Sequence, residues 1–214
     1  MRTQNPFPEA PAPGFARRLR RRLARLSHDC RATVAIEFAF VLPLLCMMTF
    51  GLYEVTQGVI CYMKVVDVAN TVADLIGQTS IAESGVADAD LDNYYIAGQL
   101  VMTPSTGNNL GIAISSVWFG PTGTNAQECW HAVRGGAAAI GNATSFVSGL
   151  GTANGSAIVV KASYTYTSLL NYFITTPIVI TSQVAQQPRN LLPNAYKEGI
   201  PYPPSLPAAQ TCSG

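Results

Sequence analysis

An uninterrupted apolar run, Phe38-Ala-Phe-Val-Leu-Pro-Leu-Leu-Cys-Met-Met-Thr-Phe-Gly-Leu-Tyr53, constrains this chain more than any other feature, and Thr49 is its strongest polar side chain. With Thr33 to Ile36 before it and Val55 to Met63 after it, roughly thirty mostly apolar residues follow one another, where a bilayer core needs about twenty. The run predicts a transmembrane helix over residues 33–63, its excess length taken up by tilt or by emergence beyond the membrane. Pro43 inside the run costs about 3 kcal/mol in a helix in water, but membrane helices accommodate proline as a kink.

Charge gives the run a direction. Up to Ala32 there are eight arginines and only two acids, Glu9 and Asp29, a surplus of six positive charges. From Thr33 onward ten acids face five lysines and arginines, a surplus of five negative charges. The nearly neutral total of +1 conceals this polarity. A basic head, a greasy segment and an acidic body predict a cytoplasmic N-terminus and an exported C-terminal domain. Arg17 to Arg25 also suit nucleic acid, but a basic run just ahead of a span needs no more than topology and anionic headgroups, and no nucleic-acid partner is expected. Membrane lipid is the expected surrounding. A cleaved secretory signal would place small residues directly after the run, whereas Glu54-Val-Thr-Gln57 stand there, so the segment is read as a retained anchor.

Two acids interrupt the apolar stretch, and a carboxylate at membrane depth costs about 2.5–3.5 kcal/mol. Glu37 lies six residues beyond Arg31. It either snorkels to the headgroups or awaits a positive charge from a neighbouring chain. Glu54 is read as an acid at the outer interface.

Beyond Met63 the helical pattern continues as an amphipathic stalk over 64–78. Val65, Val68, Ala69, Val72, Leu75 and Ile76 fall on one face, and Gly77 marks the end. The stripe is expected to pack on the domain that follows, with subunit contact as the other reading. Asp88-Ala-Asp-Leu-Asp92 approaches a calcium-loop pattern, yet Asn93 and Gln99 occupy the positions of its glycine and glutamate. An acidic start to a second helix, Leu91 to Met102, is the simpler reading, and no metal site is predicted. Strands are expected over Leu110 to Phe119, Ala126 to Val133, Ala157 to Thr167 and Thr176 to Ala185, with Gly120–Asn125 as a turn. Arg134 to Ser156 reads as a long surface loop with at most one helical turn. Residues 79–192 thus form the exported α+β domain, and 193–214 a Pro-rich tail without regular structure. The predicted fold class is α+β, a long N-terminal transmembrane and stalk helix packed on a small antiparallel sheet, pilin-like.

The stretch Arg31-Ala-Thr-Val-Ala-Ile-Glu37-Phe38-Ala-Phe-Val-Leu-Pro43 resembles the opening of TadE/TadG-like proteins of the tight-adherence pilus system. Asp74-Leu-Ile-Gly-Gln78, Trp130, Tyr164-Thr-Tyr166 and Pro188-Arg189 are similar to later features of that family, in order. The resemblance implies a minor pseudopilin or pilus-assembly component in the inner membrane and periplasm of a Gram-negative envelope. Its partners would be pilus subunits and an inner-membrane assembly platform. It assigns assembly roles to Glu37, Phe38 and Pro43. It also implies a prepilin peptidase cutting between Ala32 and Thr33, which would remove the basic 1–32 leader and leave Glu37 fifth in the mature chain. Ala32 stands where the family carries glycine, so processed and unprocessed forms both remain open. After a cut, the new α-amine meets Glu37 of an adjacent subunit, and the pair neutralises two charges that are costly in a helix bundle.

Of five cysteines, Cys30 is cytoplasmic or interfacial and Cys46 and Cys61 lie in or beside the membrane, so Cys129 and Cys212 are the exported ones. An oxidising compartment makes a Cys129–Cys212 disulfide the natural pairing, with free or intermolecular thiols as the rival. Closing so long a loop contributes roughly 4–5 kcal/mol on the chain-entropy model. Little suggests an enzyme or a cofactor. His28 is cytoplasmic, and His131 is the exported domain's single histidine, beside Trp130 in a strand. No phosphate loop, metal-ligand spacing or nucleophile with a base is evident. Asn142-Ala-Thr144 and Asn154-Gly-Ser156 match glycosylation acceptors, which mean little in a bacterial host. Trp118, Trp130, Tyr164 and Tyr166 are read as core packing before a binding face. The alternative to an assembly subunit is an uncleaved membrane-tethered periplasmic binding module, for which Glu37 would be dispensable.

Overall fold

A computed structural model describes residues 31–78, 86–105, 107–171 and 174–189. The basic head with His28 and Cys30, and the Pro-rich tail with Cys212, lie outside the described residues. The chain divides into two compact units, residues 1–52 and 53–214. Helix α1, Arg31–Gly77, is unbroken across 47 residues and contains Pro43, so the expected span and stalk are one helix.

In the second unit, α1 supplies the core. Val65, Val68, Ala69, Val72 and Ile76 are buried, as the stripe predicted, and Cys61 and Ala73 are buried with them, although Leu75 is only half-buried. Each fully buried valine or isoleucine contributes about 1.5–3 kcal/mol, which makes this face the main attachment of helix to sheet. The second helix, α2, runs Asp88–Val101, three residues earlier than expected. Its acidic start explains the difference, because an Asp90 carboxylate oxygen accepts the Ala87 N–H at 3.0 Å and caps the first turn. Lys64 closes its other end by donating to the Met102 and Thr103 carbonyls.

A short 3-10 turn, Gly107–Asn109, leads into a four-stranded antiparallel sheet of β1 Leu110–Trp118, β2 Gln127–Arg134, β3 Ser156–Tyr166 and β4 Ile178–Gln186, in the order β2-β1-β3-β4. The fold class is therefore α+β, with a long N-terminal apolar helix and an antiparallel sheet. β4 starts after Pro177 and not at Thr176, since proline has no N–H to give the ladder. Leu110, Ile112, Ile114, Ile158, Val160, Ala162 and Tyr164 face the helices, together with Trp118 and Trp130.

The segment between β2 and β3 departs from the expected surface loop. Ile140, Ala143 and Val147, around the short helix α3 at Ala143–Phe146, are buried against Ala113, Val117, Phe119, Ala157 and Val159. This second layer covers the other face of β1, which is why all nine β1 residues are buried. Along β2, Trp130 pairs with Ser116 and Glu128 with Val117, so Cys129 is the extra residue of a bulge. The bulge breaks the two-residue alternation and lets Cys129 and Trp130 both enter the core.

Candidate functional site

Helix α1 brings the predicted assembly residues onto one element. Ala32 and Thr33 stand in helical backbone, and Glu37 is exposed. Phe38, Phe40, Leu44, Met48 and Leu52 are all exposed, Phe40 to 80%, so the apolar run presents its side chains in every direction around the helix. The Pro43 nitrogen carries no hydrogen and cannot bond the carbonyl of Ala39. One turn on, the Thr49 hydroxyl donates back to the Leu45 carbonyl at 2.7 Å, which satisfies the run's strongest polar group within the helix itself. Among the described residues, this is the one helix long and apolar enough to cross a membrane, and its most apolar stretch is not buried inside the fold.

Glu54, expected as an acid at the outer interface, is enclosed by the fold. It is 1% exposed. One carboxylate oxygen accepts the Ser168 hydroxyl at 2.8 Å and the other accepts the Ile174 N–H at 3.2 Å. Stepping back along the core stripe from Val65 in threes and fours gives Cys61, Gly58 and then Glu54, so the acid is the first member of the buried face. Gly58 faces the Tyr166 ring, and a Cβ there would make an ordinary contact with it at 3.9 Å. Tyr53, Glu54, Gln57, Ser105, Tyr164 and Tyr166 line a cleft of about 280 Å³ at this level. Burial raises the Tyr166 phenol above its ordinary pKa, and negative charge at Cys61, Glu54 and Tyr53 adds to the rise, against a hydrogen bond with Ser168.

At the other end of the stripe, two of the similar segments meet. The Arg189 guanidinium pairs with Asp74 at 2.5 Å, its backbone N–H donates to the Gly77 carbonyl at 3.0 Å, and Gln186 donates to Asp74 at 3.0 Å. A cation at a helix C-terminus complements the macrodipole, so Asp74–Gln78 and Pro188-Arg189 close α1. The acidic triplet is likewise structural. Arg134 pairs with Asp88, and with Asp92 at 2.6 Å. Burial works against the Arg134 charge, but these hydrogen bonds and the two carboxylates outweigh it and raise its pKa. Among the described residues no group of His, Cys, Asp or Glu is arranged to hold a metal ion. Trp118, Trp130 and Tyr164 are buried in the core, while Tyr166 is half-buried at the cleft. His131 lies 3.5 Å from Glu128 on the half-exposed side of β2. Cys129 is buried, and the Cys212 half of the expected pair lies outside the described residues.

What sequence reasoning missed is the enclosure of Glu54 by the fold, and the signal was the stripe itself, read from Val65 forward but not backward. No curated protein and no solved structure matches the chain. A family model does match, over residues 32–74, from the expected processing site to the Asp74 that binds Arg189. The family is that of TadE-like proteins, to which the chain is similar over this segment, which carries Glu37, Pro43 and Glu54.

Proposed function

We propose that this chain is a minor pseudopilin-type subunit of a tight-adherence pilus, anchored by one span with its N-terminus in the cytoplasm and its domain in the periplasm. It acts by helix–helix assembly in the inner membrane and not by catalysis. One observation carries the reading. The TadE-like helix exposes apolar side chains all round in its first half and becomes the core of a domain in its second half. In water such a helix leaves a large apolar surface wet, so lipid and neighbouring helices are its natural cover. Cleavage after the apolar run would cut the helix on which the domain is built, which favours a retained anchor.

Within this reading Glu37 is the register residue. Its partner is a positive charge on an adjacent subunit, which is the α-amine of Thr33 if a prepilin peptidase cuts at Ala32–Thr33. A buried polar contact of this kind specifies alignment more than it adds stability. Glu37→Leu should leave the protein in the membrane fraction while abolishing its co-purification with pilus subunits and its support of piliation. Normal assembly by Glu37→Leu would sink this reading and favour the uncleaved, tethered binding module. Intact mass decides processing, since a chain beginning at Thr33 establishes the amine and a full-length chain removes it.

The Cys129–Cys212 bridge belongs to the same proposal. It is supported by Cys129 being buried in the exported domain while Cys46 and Cys61 are free. Of the two remaining cysteines, Cys30 belongs to the basic head on the cytoplasmic side. Non-reducing peptide mapping tests the bridge, and a Cys129 peptide joined to anything but the Cys212 peptide refutes it.

A further inference from the structure

The β3–β4 connection is held in an unusual way. Leu169 at its apex is 84% exposed and Leu170 is 43% exposed, and Ile178 and Val179 at the start of β4 are 45% and 63% exposed. Tyr166 pairs with Ile178, so the connection and the start of β4 share one end of the sheet. Four large aliphatic groups exposed at that end call for a cover. The neighbouring loop segments themselves carry no charge. Residues Thr167 to Pro177 include no acid or base, nor do Thr103 to Asn109, whose Ser105 lines the adjoining cleft. The connection is nevertheless pinned on both sides of the leucines, because Glu54 accepts from Ser168 before them and from Ile174 after them. Glu54 directly follows Tyr53, the last residue of the uncharged run.

We propose that the Leu169-Leu170 apex, with Ile178 and Val179, is a lipid-contacting surface that enters the headgroup–acyl boundary beside α1, and that Glu54 is the latch presenting it. The inference rests on the reading of α1 as a membrane span. A span that ends near Tyr53 brings the headgroups to the level of Glu54, and the loop fastened there comes with them. An uncharged apolar tip flanked by Thr, Ser and Asn suits that boundary better than a protein partner, whose rim would be met by charge. Tyr53 and Tyr166, which line the cleft behind the loop, are of the type enriched at this depth. Glu54 thereby acquires a positioning role, since its carboxylate sets where the leucines stand without touching lipid.

The test is photocrosslinking of the full chain in vesicles of phosphatidylcholine and phosphatidylglycerol. Leu45, Leu150, Leu169 and Val179 are replaced, one at a time, by p-azidophenylalanine. Leu45 reports the span. Leu150 is a comparably exposed leucine at the opposite end of the sheet, where its carbonyl accepts from Gln187 beyond β4. Lipid adducts are expected at 45, 169 and 179, with only background at 150. Adducts at 45 alone overturn the proposal and leave the span intact. Absence of adducts at 45 as well removes both. Adducts from 169 to a second copy of the chain overturn it by making the surface a subunit interface. Adding Glu54→Leu should reduce the 169 adduct severalfold without changing that at 45, and an unchanged 169 adduct refutes the latch.

Discussion

Replacing Glu54 by leucine tests how the acid at the head of the core stripe is used. The substitution removes the acceptor for two donors, the Ser168 hydroxyl and the Ile174 N–H. Each buried donor left without a partner costs about 1–3 kcal/mol. The hydroxyl can rotate toward another acceptor, but the Ile174 N–H is fixed to the backbone and cannot. Relief from burying a carboxylate offsets part of the loss. A net cost of about 2–4 kcal/mol is therefore expected, borne first by the loop, which can open to water while the sheet stays folded. At 1.4 kcal/mol per tenfold, opening of the loop becomes about thirtyfold to a thousandfold more favourable. Hydrogen exchange on the full chain in nanodiscs reads this directly at the Ile174 amide. Exchange at Val159 and Val160, in the centre of β3, should change little. Glu54→Gln is the matched control, since its oxygen can accept from Ile174 while its amide donates to the Ser168 hydroxyl, and a cost below about 1 kcal/mol is expected. Unchanged protection of Ile174 in the leucine variant would refute the reasoning, because the carboxylate would then not be what holds the loop.

Three further outcomes follow from the geometry. Gly135 has φ +64° and a Cβ there would lie 2.0 Å from the Leu110 carbonyl oxygen, whereas Gly136 at φ +73° faces open space. Gly135→Ala should cost more than about 3 kcal/mol and Gly136→Ala about 1 kcal/mol, measured as urea midpoints, and equal costs would contradict this packing. Arg134→Gln should lower stability by only about 0.5–1.5 kcal/mol, because Asp88 and Asp92 are more than half exposed and solvent screens the pair. Since the Arg134 pKa is raised, its contribution is complete below the ordinary arginine range and disappears only above it, so the deficit of the variant should not vary across neutral pH. The Tyr166 phenol, also raised, favours the folded state fully below the ordinary tyrosine range and loses that contribution as pH climbs through the raised value. Ultraviolet titration should therefore lose a component that ionises above the ordinary tyrosine range in Tyr166→Phe, and loss of a component below that range would contradict the burial.

The parts of the fold legible in the sequence are those where one period governs a face. Val65, Val68, Val72 and Ile76 repeat at helical spacing and are buried, and Ile158, Val160, Ala162 and Tyr164 repeat at strand spacing and are buried. Glu54 belongs to the first series, but the hydropathy of its surroundings suggested membrane depth, and that local signal hid its place on the stripe. Ile140, Ala143 and Val147 also keep helical spacing, yet Gly, Ala, Asn and Ser around them read as loop. The bulge at Cys129 breaks the period on which a strand face is read, so two adjacent buried residues could not be foreseen. Arg134 with Asp88 and Asp92, and Arg189 with Asp74, are joined by topology alone, across separations that no local pattern encodes.

The layer over the far side of β1 and β3 has a consequence for recognition. Small sheets commonly keep one broad wall toward solvent, and a partner can be received on that wall. Here β1 has neither side open, since α1 and α2 occupy one and the α3 segment the other, and β3 shares this cover as far as Val159. Among the described residues, the domain therefore meets its surroundings through its perimeter: the outer edge strands, the turns between strands, and the ends where helices are capped. Contact area on such a perimeter is narrow, which suits the proposed assembly, in which the wide attachment runs along the helix.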